Sequence, residues 1–106
     1  MLFRALVGAT ALVLIAASAA SAADGAAIYK EQCAKCHGDT GQADTVIGKA
    51  MKVPPLAGDA NIQKMSLSDV VARIKGNEKH PPTVKSVSGD DLNAVAAYVK
   101  QMAGGK

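Results

Sequence analysis

The stretch Cys33-Ala34-Lys35-Cys36-His37 constrains this chain more than any other feature. Two thiols three positions apart, with an imidazole directly after the second, form the attachment signature of a covalent c-type haem. On a helical turn the two sulfurs face one side, where both vinyl groups of one porphyrin can be captured as thioethers. His37, next along, then aims its ring at the iron as the proximal axial ligand. The chain has no other cysteine, so neither thiol is left over.

Two plainer readings compete with this one. A Cys-x-x-Cys pair serves as a redox disulfide in thioredoxin-like proteins, but there it accompanies a βαβ pattern, and no strand-like run occurs here. A structural zinc site needs four ligands, and outside the motif only His80 is a conventional one. Haem attachment is the reading that uses all three residues.

The N-terminus does not belong to the same unit. Met1 to Arg4 carries one positive charge, Ala5 to Ala17 is almost wholly apolar, and Ser18-Ala19-Ala20-Ser21-Ala22-Ala23 follows. This is the charged, apolar and small-residue pattern of a secretory leader, cut after Ala22 or Ala23. The rival is an uncleaved anchor, but residues 5–23 are barely a span, and alanine gives them little hydrophobicity. The expected organisation is a cleaved signal peptide over 1–23 and a single domain over 24–106. No later segment could cross a bilayer, so the mature chain is expected to have no stable membrane insertion.

Cleavage removes Arg4 and leaves a formal charge of about +2, which two haem propionates would bring to about zero. There is no basic block with interleaved aromatics, so nucleic-acid binding is unsupported. The mature part has no Trp or Phe and only two aromatics, Tyr29 and Tyr98. About 84 residues rich in Ala, Val and Leu bury little area unaided. A haem would supply the missing core, and the chain without it is expected to be largely unfolded.

The rest of the pattern is helical. Asp24 to His37 reads as one helix, with Gly25, Tyr29 and Cys33 on a shared face. Gly38 ends it. Gly25 is either a fraying terminal residue or a small residue over which another helix crosses. Gly38 to Gly58 has no convincing period and ends in Pro54-Pro55-Leu56-Ala57-Gly58, a loop long enough to wrap a cofactor. Ser66 with Asp69 marks a second helix, striped by Leu67, Val70, Val71 and Ile74 and closed by Gly76. Asn77 to Val87 is a loop containing His80-Pro81-Pro82. Ser88 and Asp91 repeat the start signal for a C-terminal helix striped by Leu92, Val95, Ala96, Val99 and Met102, before a frayed Gly104-Gly105-Lys106 tail.

With Gly25, Tyr29, the Cys33-x-x-Cys36-His37 motif, the Pro-Pro-Leu-Ala-Gly loop and Tyr98, the chain resembles small class I c-type cytochromes over its mature length. The resemblance implies an all-α, cytochrome c-like domain of three main helices around one haem c, covalently bound through Cys33 and Cys36. It implies that the first and last helices cross at Gly25 and Tyr98. It implies too that the carbonyl of Pro54, or of Pro55, accepts the His37 Nδ1–H, and that Leu56 packs on the haem. The family's distal ligand is usually a methionine followed by proline just before the last helix. Here that place holds His80-Pro81, so the metal ligands are expected to be His37 and His80. Met65, or an open or water-bound site, is the alternative, and Met51, Met65 and Met102 otherwise fill gaps.

A second imidazole in place of a thioether lowers the reduction potential. The expected function is that of a periplasmic one-electron carrier, soluble and monomeric, meeting redox partner proteins transiently. The alternative is a haem-based gas sensor whose distal ligand is displaced. Catalysis is poorly supplied, since Arg73 is the only arginine after the leader.

Overall fold

Caps and glycines divide this chain into helices more finely than apolar period alone would suggest. The computed structural model describes residues 24–104, so the expected leader over residues 1–23 and the final two residues lie outside it. Seven helical segments follow one another: α1 (Gly25–Gln32), α2 (Ala34–His37), α3 (Val46–Ala50), α4 (Ala60–Lys64), α5 (Leu67–Gly76), α6 (Pro82–Lys85) and α7 (Gly89–Ala103). No strand occurs among the described residues.

Three of the segments, α1, α5 and α7, are long enough to bury a stripe, and they are the three helices expected. The Asp24 carboxylate caps α1 by accepting the Ala27 N–H at 3.1 Å. The Ser66 hydroxyl caps α5 by accepting the Asp69 N–H at 3.1 Å, each satisfying a donor that the helix cannot. α7 starts where Ser88 marks it, but the Ser88 side chain makes no capping bond. The first residue of α7, Gly89, lies at φ +61°, which diverts the chain at the point where that bond would form.

The core lies along α7. Leu92, Val95, Ala96, Val99 and Ala103 are buried, with Ala96 and Ala103 fully so, and the first four pack with Tyr29, Ala34 and Val70. Leu67, expected on the inner face of α5, is instead 40% exposed. Tyr29 and Tyr98 lean on each other with ring centroids 5.3 Å apart and planes tilted by 52°.

The crossing of α1 and α7 explains Gly25. A Cβ at that position would run into the Ala94 backbone carbonyl and come within 3.1 Å of the Tyr98 Cβ. Only glycine allows the two backbones this close, so Gly25 is a crossing point and not a fraying end. Gly25→Ala is expected to destabilise the folded protein by about 1–3 kcal/mol, the usual cost of overpacking a close contact. Denaturant titration of the haem-loaded protein measures it.

Candidate haem site

The five-residue motif is not the end of one continuous helix. The chain turns at Cys33, so α1 and α2 are separate segments, although the Cys33 N–H still reaches the Tyr29 carbonyl at 2.8 Å. The Cys33 carbonyl then accepts from Cys36 N–H at 3.2 Å and from His37 N–H at 2.9 Å. The motif is therefore one helical turn, with both cysteines free and half-buried. Burial, then the neighbouring Cys36, pushes the Cys33 thiol up to about 11. That is the reverse of the lowered value that makes a redox thiolate.

A helix this short leaves its carbonyls without internal partners, and the surroundings satisfy them one after another. The Gly38 N–H, at φ +86°, donates to the Ala34 carbonyl at 2.8 Å. The Thr45 hydroxyl donates to the Lys35 carbonyl at 2.7 Å, the Ala43 N–H to the His37 carbonyl at 2.7 Å, and the buried Tyr29 hydroxyl to the Gly38 carbonyl at 2.7 Å. Thr45 also caps α3 by accepting the Gly48 N–H at 2.8 Å. Gly48 lies so close to the Cys36 carbonyl that a Cβ there would collide with it. Tyr29, Ala43, Thr45 and Gly48 thus fix the backbone that carries His37. Of these, sequence reading singled out Tyr29 alone, and for its ring. A Thr three residues before a Gly is too common a pattern to signal a cap.

His37 is half-buried. Burial, with His80 beside it, lowers its pKa, so the ring is neutral at pH 7, the form a metal ligand takes. Its Nδ1 is buried and has no hydrogen-bond partner among the described residues. The bond expected from Nδ1 to the Pro54 carbonyl, or to that of Pro55, is therefore not made. Both prolines are exposed, and the segment is drawn elsewhere: Val53 N–H donates to Gly48 at 2.9 Å and Leu56 N–H to Gly41 at 2.7 Å. Leu56 itself is half-buried and packs on the helical core.

His80 lies close to the His37 ring. Its ring centroid lies 6.3 Å from that of His37, with the planes at 74°. The His80 Nδ1 is 2.7 Å from the Ile74 carbonyl. A carbonyl can only accept, so Nδ1 carries the proton and Nε2 keeps its lone pair in the neutral ring, as in metal-binding histidines. The methionines stand apart from this pair in character. Met51 is 51% exposed at the end of α3, while Met65 and Met102 are half-buried against the core.

Two free thiols on one turn, a neutral imidazole directly after them and a second imidazole close beside it are a donor set that fits a covalently held haem. An all-α domain presenting such a set is the architecture of a c-type cytochrome. The sequence model of the family described as cytochrome c oxidase, cbb3-type, subunit III matches residues 20–99, and the chain belongs to that family.

Its relatives agree. A protein named Cbb3-type cytochrome c oxidase subunit CcoP from Azospirillum brasilense is 29% identical over 90 residues, covering 83% of this chain and 30% of that protein. The protein of the same name from Azospirillum sp. (strain B510) is 32% identical over 99 residues, covering 86% of this chain and 32% of its own length. A protein named thiosulfate dehydrogenase electron acceptor from Stutzerimonas stutzeri is 34% identical over 106 residues, covering 92% of this chain and 46% of that protein. The chain thus spans about a third to a half of the length of the curated relatives it matches. The domain is a c-type cytochrome with a cytochrome c-like fold. No helix among the described residues is long and apolar enough to cross a membrane.

Proposed function

We propose that this chain is an exported one-electron carrier whose single haem is joined through Cys33 and Cys36 and whose iron is held between His37 and His80. The observation that carries this reading is the separation of the His37 and His80 rings. Two metal–nitrogen bonds of about 2 Å each, with the nitrogens about 1 Å from their ring centres, put the centroids of two opposed imidazoles about 6 Å apart. The observed 6.3 Å matches.

When bound, the haem iron gains and loses one electron. The protein's own part is to keep everything else still. The satisfied carbonyls of α2 hold His37 in place, and burial keeps its ring neutral. The Ile74 carbonyl holds His80 in the tautomer that leaves Nε2 for the metal. Two imidazoles stabilise the ferric state over the ferrous one, so the potential lies towards the low end of the small-cytochrome range. A haem iron that took both His37 and His80 as ligands would leave no open position for a substrate. Arg73, the one arginine of residues 24–106, is exposed on α5, and nothing among the described residues supplies a distal acid–base pair, so the chain is read as a carrier and not as an enzyme.

The carrier needs donors and acceptors. The relatives' names include a terminal oxidase subunit and the electron acceptor of a thiosulfate dehydrogenase, and enzymes of these kinds are the proposed partners. α3, packed against the motif, exposes Val46 and Ile47 beside Lys49, a small apolar and basic surface suited to brief encounters of a monomer. Residues 1–23 are proposed as the cleaved leader that sends the chain to the periplasm. A cut after Ala23 would leave α1 with its Asp24 cap intact.

Carbon monoxide separates a carrier from a gas sensor. The reduced protein is expected to bind CO slowly at neutral pH, because His80 must leave the iron first. Rapid, complete binding on mixing would argue for a displaceable ligand or an open site, and against the carrier.

A further inference from the structure

We propose that Asn77 is the positioning residue of the distal ligand: it ends α5 and folds the following residues so that His80 is presented at a set height and angle. This inference rests on the reading that His80 binds the iron. α5 stops at Gly76, and the Asn77 N–H closes its last turn on the Arg73 carbonyl at 3.2 Å. The Asn77 side chain then reaches forward, its Oδ1 accepting the Lys79 N–H at 2.8 Å. Its backbone carbonyl accepts the His80 N–H at 3.0 Å. One residue thereby captures the two amides that precede the His80 ring.

The same helix end holds the ring. Ile74 lies in the last turn of α5, so its carbonyl has no partner within the helix. The His80 Nδ1–H takes that place at 2.7 Å. Were the helix to run on, the N–H of residue 78 would claim the Ile74 carbonyl, and His80 would lose its anchor. Asn stops it by offering the backbone a side-chain acceptor as an alternative to helix. Glu78 and Lys79, both good helix formers, would not stop it themselves. Pro81, directly after His80, fixes the exit from the turn and serves as the N-cap of α6.

Asn77→Ala removes the Oδ1 acceptor and favours further helix, whereas Asn77→Asp keeps an oxygen in place. With one hydrogen bond lost, the fraction of time His80 is away from the iron is expected to rise about fivefold. The test is CO combination with the ferrous, haem-loaded protein at neutral pH, followed by stopped flow, beside thermal melts and ferric spectra. The rate for Asn77→Ala is expected to be about five times that of the unsubstituted protein, and that for Asn77→Asp within about twofold of it. A rate for Asn77→Ala equal to the unsubstituted protein's, or an equal rise in both variants, would overturn the inference. So would a lowered melting temperature without a faster CO reaction, which is what a merely structural role produces. Should Asn77→Ala not fold, Asn77→Ser, with a shorter acceptor, is expected to fall between Asp and a several-fold rise, and a rate equal to the unsubstituted protein's would again overturn it. His80→Ala in the same series keeps the two claims apart. A ferric spectrum unchanged by His80→Ala removes the ligand reading, whereas a changed one beside an unresponsive Asn77→Ala removes only the role of Asn77.

Discussion

The His80→Met protein is expected to have a reduction potential higher than that of the unsubstituted protein by on the order of 100 mV, within the roughly 0.8 V that axial ligands command in haem proteins. The direction follows from donor strength. An imidazole stabilises Fe(III) better than a thioether does, so exchanging one for the other favours the reduced state. The side chain at residue 80 lies beside His37 on a loop braced by Asn77 and Pro81, and a methionine there has the length to reach the same place. It lacks the ring proton that His80 gives to Ile74, so the substituted ligand is also expected to be the looser one. Equilibrium titration of both proteins against redox mediators measures the difference. A fall in potential, or none, would mean that residue 80 does not ligate.

The second large effect concerns folding itself. Cys33→Ala with Cys36→Ala is expected to leave a chain that retains no haem through denaturing washes and shows no cooperative thermal transition. The protein core is small. Of the ten buried apolar residues among those described, four are alanines, and only Tyr29 and Val95 of these are large and almost fully buried. Burying a Val or Leu side chain contributes about 1.5–3 kcal/mol, while ordering each backbone residue costs roughly 1–2 kcal/mol. A domain of this composition has little surplus, and a porphyrin seated between His37 and His80 would add the largest apolar surface in the molecule. Far-UV circular dichroism of the double variant tests this. A helical spectrum with a sharp melt, like that of the haem-loaded protein, would contradict it.

Much of the frame could be read directly from residues. Five consecutive positions, Cys33 to His37, point to the cofactor because few other chemistries need two thiols and an imidazole at that spacing. α5 and α7 showed themselves through stripes of Val, Ile and Leu with a serine at each start. Gly25 was legible as a possible crossing because it shares a face with Tyr29, and the close approach to Ala94 and Tyr98 bears this out. What stayed hidden was shorter than a helical period. α3, α4 and α6 span five, five and four residues, too few for a stripe. Their caps, Thr45, Asp59 and Pro81, sit in stretches whose glycines and prolines read simply as loop.

The break at Cys33 was hidden for a related reason, since one apolar face runs from Gly25 to Cys33 whether or not the axis bends there. Tertiary hydrogen bonds were out of reach altogether. Nothing in the order of residues says that the Tyr29 hydroxyl finishes the Gly38 carbonyl, or that the Ile74 carbonyl selects the tautomer of His80. The bond from His37 to Pro54, taken over from family resemblance, is an expected contact that the described residues do not make. Resemblance passes on residue types more faithfully than it passes on loop conformations, and the segment between Gly48 and Leu56 is tied down by its own hydrogen bonds.

The central claim is that imidazoles occupy both sides of the iron, and the ferric optical and electron paramagnetic resonance spectra of the unsubstituted protein beside those of His80→Ala test it most directly. The account predicts a low-spin, six-coordinate spectrum without the weak iron–sulfur absorption of methionine ligation, converted by His80→Ala to a high-spin or water-bound form. An iron–sulfur band in the unsubstituted protein, or spectra that His80→Ala leaves unchanged, would contradict it.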